Sequence, residues 1–94
     1  MFSQTYYALR SRQDGSYLSA RPDRDRADRF ILVFAEHFDA LAYINKYAED
    51  YKDRVAVESI APTQLKGIFQ RWSYVGLAVV RDPLLPSIEF LRQA

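Results

Sequence analysis

The single histidine of the chain is its clearest candidate for acid–base or metal chemistry. His37 follows Glu36 and precedes Asp39, and all three residue types transfer protons or ligate metals. His37 and Asp39 are two positions apart, however, and residues at that spacing do not share a helix face. Polar residues are also the usual caps where a strand passes into a helix. We therefore expect neither a catalytic nor a metal site here, and we interpret the chain as a non-enzyme.

Motifs for nucleophilic and phosphate chemistry are not found in the sequence. The three glycines are scattered and form no phosphate-binding loop, and neither a nucleophile elbow nor a pair of zinc-binding histidines is present. The chain has no cysteine, which excludes thiolate catalysis, disulfides and cysteine-based metal sites. The sequence therefore predicts no cofactor.

An RNA-binding surface is the second chemistry that the residue types indicate. Ten of the thirteen basic residues are arginine, and arginines beside stacking aromatic rings can bind single-stranded RNA. The candidate residues are Arg24, Arg26, Arg29, Tyr6 and Tyr7. Residues 1–29 carry six Arg against four Asp, an excess that is small for a phosphate-binding module. RNA binding is therefore the alternative hypothesis, and 21–29 is predicted to be a solvated loop.

The C-terminal segment 82–94 is unusually apolar for the end of a chain. Exposed together, its large side chains would form a patch that soluble monomers usually avoid. The candidate docking residues are Leu84, Leu85, Ile88, Phe90 and Leu91. Two prolines interrupt the segment and argue against regular structure in it. We expect this tail either to fold back on its own domain or to dock on a protein partner, and both alternatives stay open.

Hydrophobic periodicity predicts the elements that position these residues. The predicted strands are short and rich in β-branched or aromatic residues: 5–11, 17–20, 29–35, 54–60 and 74–80. Turn residues 13–16 join the first two as a hairpin. The predicted helices, with apolar residues at spacings of three and four, are 38–51 and 62–73. Pro62 suits the first helical turn.

The order of these elements predicts an α/β fold in residues 1–81, a two-layer sandwich of a mixed sheet and two helices, with 82–94 as the tail. Segment 29–35 is apolar at every position after its arginine, which is typical of a central strand buried on both faces. If both helices cover the same face, the other apolar face needs the tail or another subunit.

Length and charge limit the class of protein. A chain of 94 residues, 49% of them hydrophobic, has room for one modest core. A net charge of +1 excludes the strong single-sign field of proteins that coat nucleic acids or are steered to membranes. No uncharged run is longer than nine residues, so no segment approaches the roughly 20 residues of a membrane span. We expect a soluble, cytoplasmic domain.

Short motifs along residues 6–80 also resemble a known family. They include Tyr7-Ala8-Leu9, the step Gly15 to Leu18, the strand Phe30 to Phe34, Glu36 with Asp39-Ala40 and Tyr43, and Val57-Glu58. The pattern resembles a small domain of unknown function from cyanobacteria and chloroplasts. This resemblance implies a photosynthetic lineage and supplies no catalytic residues. The arginine-rich loop and the Pro-Leu-Leu-Pro segment depart from the family pattern.

Together these observations favour a non-catalytic accessory or protein-interaction domain. It would act by docking its apolar tail and a sheet edge on another protein or on a second copy of itself. Under the family resemblance, that partner would belong to a photosynthetic assembly.

Overall fold

A computed structural model describes residues 4–23, 25–85 and 87–93. In chain order its elements are β1 (Tyr6–Ser11), β2 (Ser19–Ala20), β3 (Phe30–Phe34), α1 (His37–Tyr47), β4 (Val55–Ile60), α2 (Pro62–Trp72), β5 (Gly76–Asp82) and β6 (Ser87–Arg92). A short 3-10 turn, Glu49–Tyr51, follows α1. The strands form one mixed sheet in the order β4-β1-β3-β5-β6, and β2 pairs with the beginning of β3. The predicted α/β class, with a mixed sheet and two helices, is confirmed.

Strand β3 is the centre of the sheet, and all five of its residues are buried. It pairs antiparallel with β1 on one side and parallel with β5 on the other. Because side chains alternate along a strand, Phe30, Leu32 and Phe34 enter one core, and Ile31 and Val33 enter the other. The prediction of a central strand that is buried on both faces is therefore confirmed.

The two helices cover opposite faces of this sheet. Ala40 and Ile44 of α1 pack in the core that contains Phe30, whereas Leu65 and Phe69 of α2 pack in the core of the other face. The chain moves through α1 from β3 to the edge strand β4, and then back across the sheet through α2 to β5. Right-handed crossovers in opposite directions place their helices on opposite faces. Each apolar face therefore has its own helix, and side chains of the tail add to the cover of both faces.

Most of the C-terminal segment continues the sheet. Strand β6 pairs antiparallel with β5, placing Leu91 opposite Leu77, Phe90 opposite Ala78 and Ile88 opposite Val80. The expectation that the prolines prevent regular structure is wrong for 87–92, which form β6. Pro83 lies in the turn and not within a strand, and Pro86 lies outside the described residues. Strand β5 extends to Asp82 and pairs with β6, so this hairpin contains residues of both predicted parts of the chain, 1–81 and 82–94.

Gly76 makes the close approach of β5 and β6 possible. A Cβ atom at this position would collide with the carbonyl oxygen of Leu91 and lie 2.8 Å from the Cα of Arg92. In contrast, a Cβ at Gly67, in the middle of α2, would meet no atom within 4 Å. The two glycines therefore have opposite consequences for stability.

Among the described residues, no helix has both the length and the apolar character that crossing a bilayer requires.

Matched substitutions test the different consequences of a Cβ atom at Gly76 and at Gly67. We expect Gly76→Ala to lower the free energy of unfolding by about 1 to 3 kcal/mol, since the methyl group forces the β5–β6 pairing apart. We expect Gly67→Ala to raise it by about 0.5 to 1 kcal/mol, since alanine is the better helix former. Denaturant titration of both variants measures the two changes. Equal effects in the two variants would contradict the strand register described above.

A leucine pair tests how the helices are packed. Leu65 of α2 is 2% exposed, whereas Leu41 of α1 is 42% exposed. We expect Leu65→Ala to cost about 2 to 5 kcal/mol of unfolding free energy, because it leaves a cavity in the core. Leu41→Ala should cost less than about 1 kcal/mol. Thermal or chemical unfolding of the two variants gives the comparison, and a larger loss for Leu41→Ala would reverse the assignment of the buried helix faces.

Candidate functional site

The β5–β6 hairpin carries three exposed apolar side chains of the predicted docking set. Leu84 and Leu85 in its turn are 53% and 77% exposed, and Phe90 on β6 is 39% exposed. We call these three residues the hairpin patch. The other two candidates, Ile88 and Leu91, are half-buried and pack against the cores on opposite faces of the sheet. The five predicted residues are thus divided between the surface and the cores.

The turn of the hairpin is attached to the end of α1. The carbonyl oxygen of Leu84 accepts hydrogen bonds from the Tyr47 hydroxyl, at 2.8 Å, and from the Lys46 ammonium. The Asp82 carboxylate accepts the backbone N–H of Leu84 at 3.0 Å. These contacts hold the leucine backbone on the α1 side of the sheet while the leucine side chains stay exposed.

The aromatic part of the patch lies on the same side of the sheet. The ring of Phe90 packs edge-on against Phe30, with centroids 5.1 Å apart. Its partner Phe30 is 2% exposed, so one side of Phe90 contacts the core and the other faces solvent. Phe90 is therefore a partly buried anchor, and the side chains of the turn extend the apolar surface.

Strand β6 is also an edge of the sheet, with no described strand on its outer side. Its charged side chains are held by neighbours of the same chain. Arg81 binds Glu89 at 2.5 Å, and Arg92 binds Asp28 at 2.6 Å. The hydrogen bond from Arg92 lowers the pKa of Asp28. The strand thus presents backbone hydrogen-bonding groups beside an apolar patch.

The opposite edge, β4, has a groove on each face of the sheet. The groove on the α2 side, which we call the α2 groove, has a volume of about 530 Å³. Its lining comprises Arg10, Tyr17, Glu58, Ser59, Ile60, Thr63, Gln64, Gly67, Ile68, Arg71 and Trp72. The groove on the other side, the α1 groove, has a volume of about 400 Å³ and is lined by Arg12, His37, Leu41, Ile44, Asn45, Lys52, Asp53, Val55, Ala56 and Val57. Residues of β4 form part of both walls.

A polar network forms the floor of the α2 groove. Glu58 accepts hydrogen bonds from Arg10 at 2.9 Å and from the Tyr17 hydroxyl at 2.5 Å. Arg10 also donates to the carbonyl oxygen of Gly15 at 2.7 Å, and its guanidinium lies 5.1 Å from the centre of the Tyr17 ring. Burial and the neighbouring carboxylate raise the pKa of Tyr17 to about 12. The phenol is therefore a neutral hydrogen-bond donor at pH 7, and the hydrogen bonds fix the relative positions of Arg10, Tyr17 and Glu58.

Arg71 supplies the groove with a cation that has no partner in the described residues. It is exposed on the last turn of α2, and no hydrogen bond or ion pair involves its side chain within the described ranges. Arg10 and Glu58, in contrast, neutralise each other. As far as residues 4–23, 25–85 and 87–93 show, the α2 groove consequently has one positive charge without a partner.

His37 begins α1 and lines the α1 groove. Its ring packs edge-on against Tyr7, with centroids 5.8 Å apart. Glu36, at the helix N-cap, makes no side-chain capping hydrogen bond. Within the described ranges, no three His, Cys, Asp or Glu side chains come close enough to hold a metal ion.

The two tyrosines of the RNA hypothesis lie on opposite faces of β1. Tyr6 is 5% exposed and belongs to the core beneath α2. Tyr7 is half-buried and contacts His37 on the α1 side. A buried ring offers no face for a base to stack on, so this pair does not form a stacking platform.

The arginines of the same hypothesis are separated as well. Arg29 donates to the carbonyl oxygen of Trp72 at 2.6 Å and lies 4.9 Å from the centre of the Tyr74 ring. Arg26 is exposed beside Asp28, at 3.5 Å. Arg24 lies outside the described residues. The structure therefore brings no described pair of these arginines together with an exposed tyrosine.

The sequence reasoning did not identify the grooves beside β4. One signal was available, because Gly67 interrupts a strong helical pattern and a glycine there costs about 1 kcal/mol relative to alanine. Arg71 gave no such signal, since a single arginine on a helix is ordinary. Whether Arg71 lies on the same face of the sheet as Glu58 depends on the position of β4 in the sheet.

No family model, no curated protein and no solved structure matches this chain. The resemblance to a cyanobacterial and chloroplast domain accordingly stays a prediction.

Proposed function

We propose that this chain is a non-catalytic protein-interaction domain that forms a homodimer by joining the β6 edges of two copies. The observation that carries the proposal is an edge strand with the exposed hairpin patch on one of its faces. Unpaired edge strands are templates for pairing with another chain. An exposed apolar patch beside such an edge gives the pairing a hydrophobic contribution.

Two-fold symmetry restricts how two β6 strands can pair. Most homodimers are two-fold symmetric, so that residue i faces residue j and j faces i. An antiparallel pair of identical strands then has one residue on the axis, facing its own copy. Centring the pair on Glu89 would place two carboxylates opposite each other, which is unfavourable. Centring it on Phe90 places two phenylalanine rings opposite each other and Ile88 opposite Arg92.

The Phe90-centred arrangement also places both hairpin patches on the same side of the joined sheet. Rotation about a two-fold axis perpendicular to the sheet does not exchange the two faces of the sheet. The α1 helices of both copies therefore lie on the same side as the two hairpin patches. Cross-strand aromatic pairs contribute roughly 0.2 to 1 kcal/mol each, and burial of the leucines adds about 25 cal/mol per Å². The family resemblance points to a photosynthetic organism as the setting in which this dimer acts.

The mass in solution tests this proposal. We expect the wild-type chain to have twice its 11.0 kDa mass in sedimentation or light-scattering measurements at micromolar concentration. Phe90→Lys and Phe90→Glu, each alone, should weaken dimerisation by at least about tenfold, because like charges then face each other across the axis. An equimolar mixture of the two variants should recover the dimeric mass.

Phe38→Lys is the matched control, since Phe38 is 75% exposed on α1 and lies outside β6. It should leave the dimeric mass unchanged. Phe90 contacts the core, so circular dichroism must show that both charged variants fold. Leu85→Asp provides a variant without that risk, and it too should weaken dimerisation. A monomeric wild-type chain at every concentration, or failure of the mixed variants to associate, would overturn the proposal.

A further inference from the structure

The β4 edge has a feature that β6 lacks, namely a groove on each side of the strand. Val55, Ala56 and Val57 line the α1 groove, and Glu58, Ser59 and Ile60 line the α2 groove. No described strand lies beyond β4 in the sheet order. A segment added at this edge would therefore lie between two concave surfaces.

Strand geometry matches this arrangement to an extended peptide. Successive side chains of a strand point to opposite faces of the sheet. An added strand would thus have one set of alternate side chains on the α1 side, where the groove lies beside residues 55–57, and the other set on the α2 side, where the groove lies beside residues 58–60. Strand addition of this kind obtains affinity from main-chain hydrogen bonds and specificity from the pockets for alternate side chains.

The length of the α2 groove agrees with such a ligand. Its helical wall extends from Thr63 to Trp72, nine residue steps, which is about 13.5 Å at 1.5 Å per residue. An extended segment rises about 3.3 Å per residue, so about four residues occupy that length. The groove is therefore elongated along the helix, as a peptide site requires.

Gly67 leaves space in the middle of the helical wall of the α2 groove. Nothing inside the described chain requires a glycine there, since a Cβ would meet no atom within 4 Å. Glycine in a helix interior costs roughly 0.5 to 1 kcal/mol relative to alanine. An external segment that approaches the helix backbone closely would use the space.

The two grooves differ in chemistry. In the part of the chain that the structure describes, Arg71 is the cation of the α2 groove without a partner, and the Arg10–Glu58 pair is internally neutral. The α1 groove offers the apolar side chains of Leu41 and Val57. One groove therefore suits a carboxylate, and the other suits an aliphatic side chain.

The charged side chains at the rim of the α1 groove also have an excess of positive charge, as those of the α2 groove do. Arg12 and Lys52 face a single acidic residue, Asp53. A basic ligand would thus meet like charge at both grooves, whereas an acidic ligand would meet opposite charge.

We propose that the β4 edge binds, by strand addition, an extended peptide segment in which acidic and aliphatic side chains alternate. The acidic side chains lie in the α2 groove beside Arg71, and the aliphatic side chains lie in the α1 groove against Leu41 and Val57. This site is on the opposite edge of the sheet from β6, so peptide binding does not depend on the β6 dimer.

Synthetic peptides of about six residues test the proposal, a length that covers one strand. The probe alternates Glu and Val, and its binding is measured by calorimetry and by amide chemical-shift changes. One control peptide alternates Lys and Val, and another keeps the Glu positions of the probe and replaces each Val by Ser. We expect the alternating acidic peptide to bind at least about tenfold more tightly than either control, with shift changes along β4.

Backbone methylation separates strand addition from simple charge attraction. Peptide N–H groups that point to β4 lie at every second position, so N-methylation of one alternate set should abolish binding, and methylation of the other set should leave it nearly intact. Similar losses from both sets, or binding by free glutamate as tight as that of the peptide, would overturn the proposal.

Two charge reversals on α2 provide the matched protein variants. Arg71 lines the groove, whereas Lys66 is exposed on the same helix outside it. We expect Arg71→Glu to weaken binding of the acidic peptide by about fivefold and Lys66→Glu by less than about twofold. Equal effects would show attraction to the helix as a whole and would overturn the assignment of the α2 groove.

The oligomeric state is followed in the same samples. Phe90→Lys should bind the probe with unchanged affinity, so loss of the β6 dimer and loss of the peptide site are distinguishable. If Arg71→Glu instead reduces the dimeric mass while no peptide binds at millimolar concentration, the β4 edge is occupied by a second copy of this chain, and the peptide proposal is wrong.

Discussion

Burial of β3 on both faces is the constraint on which the rest of the structure depends. A central strand with five buried residues requires an apolar layer above and below it. The chain provides both layers by crossing the sheet twice in opposite directions, first through α1 to β4 and then through α2 to β5. Because crossovers are right-handed, the reversal alone places one helix on each face. The cover of the core and the order of the strands thus have the same cause.

The same topology determines which surfaces remain for binding. With β1, β3 and β5 in the middle, β4 and β6 become the edges, and each edge lies beside a different surface. Strand β6 carries Phe90 of the hairpin patch and begins next to the turn that carries its two leucines, and this turn is hydrogen-bonded to α1. Strand β4, in contrast, has a groove on each side that it forms together with a helix. The proposed dimer and the proposed peptide site are therefore at opposite ends of one sheet. A dimer through β6 would leave both β4 edges free.

Polar groups that line the sheet are paired locally, which leaves few charges for recognition. Arg10, Glu58 and Tyr17 satisfy one another on the floor of the α2 groove, and Arg29 bonds to the end of α2. Among the described residues, no buried side-chain nitrogen or oxygen lacks a hydrogen bond. The arginine-rich composition is thus used largely for internal contacts. Arg71, in contrast, is exposed at the wall of the α2 groove and has no side-chain partner among the described residues, as is also true of Arg12 and Lys52 at the α1 groove.

The sequence by itself determined the helices and the strands up to β5 but not β6, because the apolar spacing of α2 and the continuous apolar run of β3 are local patterns that indicate the type of element and its burial. It also indicated the residues of the hairpin patch, though it did not show which of them would be buried in β6. Only the tertiary structure decided which strands are edges, that Tyr6 is buried, and that Arg71 and Gly67 face Glu58 across a groove. These facts depend on pairing between segments distant along the chain, such as β1 with β4, and no local pattern specifies such partners.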